Sequence, residues 1–280
     1  MTSFSSPANS GATDLSSGNR FSWGLLGNLL RSEWTKLRSV PSTYWTLLTA
    51  VVATVGLGAL ICAIYVSRYG KPSPFHRTIF NPTSYSLSGV MLAQLAIVVL
   101  GVLVITSEYS TGLIRTTFTA VPHRLTLFLA KALVFTAATL VIGIVSCFAA
   151  FFVGQSILSG HNLQTTLGSS GVLRAVIGAG LYLAVLGLLS LALGAMLRST
   201  AGAIATVVGL LLVLPGIIAA LPKSWTNAID KYLPSNAGQA IFHVQTQAHM
   251  FSPWAGFALF CGYTAVALIA AGYLMRRRDA

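Results

Sequence analysis

Residues 125–158 read LTLFLAKALVFTAATLVIGIVSCFAAFFVGQSIL and carry one charged residue, Lys131. As a continuous helix these 34 residues would run roughly 51 Å. The hydrocarbon core of a bilayer is about 30 Å thick. A lysine at its centre would cost a few kcal/mol on insertion scales. The cheaper solution starts the helix in the cytosol, with Lys131 at or below the interface, so a long helix protruding inward is expected.

The same reading extends along the chain. Five more stretches lack Lys, Arg, Asp and Glu over about the length of a membrane span: residues 45–66, 89–106, 172–197 (uncharged from Ala175 onward), 201–221 and 254–275. Hydrophobic residues make up 55% of the 280 and charged residues only 8%, against roughly 25% charged in soluble domains. The expected fold class is an all-α membrane protein with six transmembrane helices. Secreted, fibrous and disulfide-stapled classes are excluded. Cys62, Cys147 and Cys261 all fall inside spans, where they act as small apolar residues and imply neither a disulfide framework nor a metal site.

The net charge of +12 reflects basic residues flanking apolar spans, not a nucleic-acid partner. With the N-terminus inside, 11 basic residues fall on the inner side (Arg20, Arg31, Lys36, Arg38, Arg115, Arg124, Lys131, Arg198, Arg276, Arg277, Arg278). Six fall outside (Arg68, Lys71, Arg77, Arg174, Lys223, Lys231). That bias, and an even span count, place both termini in the cytoplasm.

Residues 1–20 are rich in Ser, Gly, Ala, Thr and Asn and read as a disordered tail ahead of a single transmembrane domain, 21–280. They lack a signal peptide's apolar core, so the first span is expected to act as an uncleaved insertion signal. Over Phe21–Arg38, Trp23, Leu26, Leu30, Trp34 and Leu37 form an apolar stripe, with Arg31, Thr35 and Arg38 on another face. This predicts an N-terminal amphipathic helix at the membrane interface, ended by Pro41. Spans four and five are joined by a tight turn, Arg198–Thr200. The loop Pro222–Pro253 is long and outer, and its apolar spacing predicts two short helices that dip partly into the protein as a re-entrant hairpin.

No Walker A sequence is present, and no His-Glu-x-x-His. No Asp or Glu lies within a span, so the intramembrane carboxylates common in proton- or sodium-coupled transporters are missing. Gln94 is a candidate pathway residue, the alternative being a hydrogen bond to a neighbouring helix; Gln155 lies just past the third span. Gly168-Ser169-Ser170-Gly171, with Ala248-His249 later, matches in part the serine and histidine motifs of rhomboid proteases. His249 precedes its span, however, and such Gly/Ser runs usually mark turns.

The segment Ser107–Lys131 is the one sizeable inner loop. Its Thr111–Ala120 stretch is expected to form a short cytosolic helix stopped by Pro122, a lever on spans two and three. The pattern Glu108-Tyr109-x-x-Gly112-x-Ile114-Arg115, followed by Pro122, Arg124 and Lys131, resembles the first cytosolic loop of ABC-2 type transporter permeases. Glu33-Trp34-x-Lys36-Leu37-Arg38 is similar to the same family's N-terminal elbow helix, in the form common in high-GC Gram-positive bacteria. Ser107 stands where many members have Gly. The resemblance covers about residues 28–280.

It implies a bacterial cell-membrane exporter subunit that works as a homodimer or pseudo-dimer with a second permease. It binds no cofactor and has no catalytic residue; ATP and Mg belong to separate cytosolic ATPase subunits. Thr111–Ala120 would be the coupling helix. Glu108, Tyr109, Gly112 and Arg115 would couple to the ATPase, with Arg115 paired to Glu108 or Glu33. The spans suit a hydrophobic or amphiphilic cargo, and Gly56, Gly58, Gly178 and Gly180 suit close helix contact. The rival is a non-transport membrane scaffold, or a sensor or immunity subunit; a rhomboid-like protease is a distant third.

Overall fold

The computed structural model describes residues 23–39, 41–69, 80–110, 124–245 and 250–277. These residues form helices and turns, with no strand among them. In chain order they are α1 (Trp23–Ser39), α2 (Pro41–Ser67), α3 (Pro82–Ser86), α4 (Val90–Ser110), α5 (Arg124–Ser159), α6 (Val172–Leu197), α7 (Thr200–Val208), α8 (Leu214–Ala219), α9 (Lys223–Ile229), α10 (Pro234–Gln239) and α11 (Pro253–Arg277). A π-helical turn, Gly209–Val213, joins α7 to α8.

Six helical stretches are long and apolar enough to cross a membrane: Thr43–Ser67, Val90–Tyr109, Leu125–Ser159, Val172–Leu197, Thr200–Ala219 and Pro253–Arg277. Each lies within a few residues of its expected position, because an uncharged apolar run fixes both the helix and its length. The long third helix is there, with 36 residues, or roughly 54 Å. The irregular fifth span has a local cause. Pro215 has no N–H to return to the preceding turn, and the π-helical turn lies just ahead of it.

Helix α6 is the hub and packs on α4, α5 and α11. Small residues let the backbones approach. A Cβ on Gly180 would meet the Ile144 backbone at 2.8 Å, and one on Gly101 would meet the Gly187 carbonyl at 2.6 Å. In a bilayer such contacts replace the hydrophobic effect as the packing force. Gly178 is equally tight against Ile241, and Gly58 is pressed on Ser86. Gly56, expected to do likewise, faces open space within the chain.

The two ends of the bundle are built differently. At the far end from α1, α3 is wedged between α2 and α5. Asn81 caps it by accepting from the Thr83 and Ser84 amides, and Gln155 donates to the Ser86 hydroxyl at 2.9 Å. Gln155 also accepts from the Thr165 amide at 2.7 Å. Of the long fifth loop, α9 buries nothing, with Trp225 exposed, whereas α10 and the turn after it bury Ala237 and Ile241. Arg174 holds that turn down by donating to the carbonyls of Ile241 (3.2 Å), His243 (3.1 Å) and Val244 (3.3 Å).

Candidate functional site

At the α1 end, three helices from distant parts of the chain meet on four charged side chains. Lys131 of α5 donates to Glu33 of α1 at 2.6 Å and to Glu108 of α4 at 2.8 Å. Lys36 of α1 donates to the other oxygen of Glu33 at 2.9 Å and approaches Glu108 at 3.4 Å. Acids and bases alternate, so the group is neutral as a whole. Lys131 is 5% exposed and Glu33 3% exposed. Two of the chain's five acidic residues are committed here.

Local packing brings the charges together. Leu29 of α1 packs on Leu127 and Ala130 of α5. One turn further along each helix, that contact places Glu33 opposite Lys131. Glu33 and Lys36 are three residues apart on one helix, a spacing that puts both on the same face. Burial alone would push the Glu33 carboxyl up, but the charges and hydrogen bonds of Lys131 and Lys36 hold it below the ordinary range. Burial likewise works against charged Lys36, and Glu33 and Glu108 outweigh it, leaving its ammonium above the usual lysine range.

Next to Glu108, Tyr109 receives the Arg198 guanidinium over its ring at 5.1 Å from the centroid, a cation–π contact. The Thr200 hydroxyl donates to the Thr106 hydroxyl at 2.8 Å. The tight turn between spans four and five, where Arg198 is left-handed (φ 52°), therefore docks on the end of α4. Residues 111–123, with the expected coupling helix, Gly112 and Arg115, lie outside the described residues. The described helices on either side of them, α4 and α5, are cross-linked by the charge network to each other and to α1.

Arg115, the expected partner of Glu108 or Glu33, lies outside the described residues. Both carboxylates are engaged by lysines. Lys131 is the residue that sequence reasoning missed as a partner. Its insertion cost is legible in the sequence; the structure adds the two carboxylates that compensate its charge. A lone lysine in an apolar run, with two acids just outside other runs, was the available signal.

On α1 the face buried against the bundle is not the one that carries Trp34. Glu33 occupies the buried face with Leu29, and Trp34 is left 51% exposed. Arg38 is exposed near the helix end, with no ion pair among the described residues. Gln94 is buried (1% exposed) in α4 and accepts from the Tyr182 hydroxyl of α6 at 2.7 Å. That is the helix-to-helix alternative. Its amide nitrogen has no partner among the described residues. Ser170 sits in the turn before α6, and His249 lies outside the described residues. Among the described residues no three His, Cys, Asp or Glu gather as metal ligands.

No protein-family model matches the chain, and no curated protein matches it.

Proposed function

We propose that the chain is the membrane-spanning permease subunit of an ATP-binding cassette exporter, energised by separate ATPase subunits. The charge network supports this reading most. A motor that pushes on the 111–123 segment must move α4 and α5 together, and a buried ring of Lys131, Glu33, Glu108 and Lys36 ties those helices to each other and to α1. A displacement of one is thereby shared among three.

In this reading the α1 end faces the cytoplasm of a bacterial cell, both termini are cytoplasmic, and α1 lies at the inner interface as an elbow. Residues 111–120 serve as the coupling segment, and the α9–α10 loop is an outer, partly re-entrant cap. ATP and Mg are held by the partner, and two permease chains form the pathway. Closure of the ATPase dimer pushes the coupling segments and tilts the spans between two states. The one carboxylate within the six spans, Glu108, sits at a span end and is paired with Lys131 and Lys36, which favours a hydrophobic or amphiphilic cargo over a bare cation.

The test replaces residues 111–120 with a Gly/Ser linker of equal length and measures ATP hydrolysis by the purified complex. A coupled permease loses its regulation of the ATPase while membrane insertion is kept. A scaffold, sensor or immunity subunit keeps its behaviour with the linker, and that outcome would transfer the assignment to it.

A further inference from the structure

The inner face of α1 is consumed by the charge network, but its outer face is not. Arg31 and Arg38 lie seven residues apart, about two helical turns, and both are exposed. The helix's one acid, Glu33, is turned inward and already paired. The exposed face of α1 therefore carries uncompensated positive charge.

Beside Arg38 the structure has a cavity of about 220 Å³ between α1, α2, α4 and α5. Trp34, Leu37, Leu47, Leu100, Phe135 and Ile142 make its walls apolar. The Thr139 hydroxyl adds little polarity, because it donates to the Phe135 and Thr136 carbonyls of its own helix. A dry apolar cavity of about 150 Å³ is already enough to take a small hydrocarbon. Arg38 and Tyr44 line this cavity and also line the larger, open hollow outside it, with Pro41, Trp45 and Leu48. A cation and a phenol thus stand between a hydrocarbon slot and an open surface. Exposed Trp34, Tyr44 and Trp45 gather around them, the aromatic set that favours the headgroup level of a bilayer.

We infer that this groove is a binding site for one anionic phospholipid of the surrounding bilayer. Its phosphate pairs with Arg38 and is flanked by Tyr44, and one acyl chain enters the Trp34–Phe135 cavity. The inference needs the bundle to sit in a membrane. It does not need an ATPase partner, so it stands or falls separately from the permease reading.

The test uses the full chain in nanodiscs, with Trp23, Trp45, Trp225 and Trp254 changed to Phe so that Trp34 alone fluoresces. Brominated phosphatidylglycerol and brominated phosphatidylcholine are titrated as quenchers. A basic residue near an anionic surface gives about a fivefold preference, so phosphatidylglycerol should win by that factor in the parent. Arg38→Gln should bring the ratio close to one, and Arg38→Lys should keep most of it. Ala138→Leu, which fills the cavity, should weaken quenching by both lipids alike. Equal quenching by the two lipids in the parent, or a ratio that survives Arg38→Gln, would overturn the site.

Discussion

The α1 end and the far end of this bundle hold distant segments together by opposite means. At the α1 end four charges close a ring across α1, α4 and α5. At the far end the anchors involve no ion pair among the described residues: Arg174 on three backbone carbonyls, Gln155 on Ser86, and glycines that let α10 and the turn after it sit against α6 and α11. Backbone-anchored packing of this kind resists displacement. A ring of long side chains can shear and re-form, because Lys131 and Lys36 each reach both acids.

The contrast breaks most severely at Lys131. Lys131→Met leaves Glu33 and Glu108 facing each other with only Lys36 between them. Removing one member of a buried charge group typically costs about 3–5 kcal/mol. Thermal unfolding in detergent should show that loss, and Glu33→Gln combined with Lys131→Met should recover much of it. If the double variant is no better than the single, the lysine acts through packing and not through charge.

Arg174→Met comes next. It strips three carbonyls of their donor at the far end and should cost about 1–3 kcal/mol, with protease cleavage in residues 240–245 rising. A far end unaffected by this change would remove the contrast.

The pH response should separate the two ends further. The Glu33 carboxyl is held below its ordinary value of 4.5. Its contribution is complete above that pH and is lost as pH falls through the lowered value. Lys36 is raised above 10.5, so its share is complete below that pH and is lost as pH rises through the raised value. The midpoint of unfolding should therefore drop in acid in the parent, and Glu33→Gln should flatten that limb.

The smallest effect is expected at Tyr182→Phe, about 0.6 kcal/mol, the average for a hydrogen bond between membrane helices. A loss several times larger would mean that Gln94 and Tyr182 are a structural keystone and not one contact among many.

The spans were legible because each is an uncharged apolar run whose length the bilayer sets; 125–158 and 172–197 agree with their helices to within a residue. The break at Pro215 has a local cause, although 201–221 reads as one uninterrupted span. The pairing of Glu33 with Lys131 has none, since 98 residues separate them and no local pattern pairs two charges at that distance. The burial of Glu33 was not legible for the same reason, since its counter-charge comes from Lys131 on a distant helix. Arg174 was counted as a topology-setting charge, although its work is to hold three carbonyls it meets only after the chain has folded.

The permease reading is tested most directly by purifying the tagged chain in mild detergent from its native membrane and identifying the co-purifying proteins by mass spectrometry. A P-loop ATPase should appear at about the same copy number as the chain. An intact chain, dimeric or monomeric, that carries no ATPase would contradict the reading and leave the charge network as the brace of a membrane scaffold.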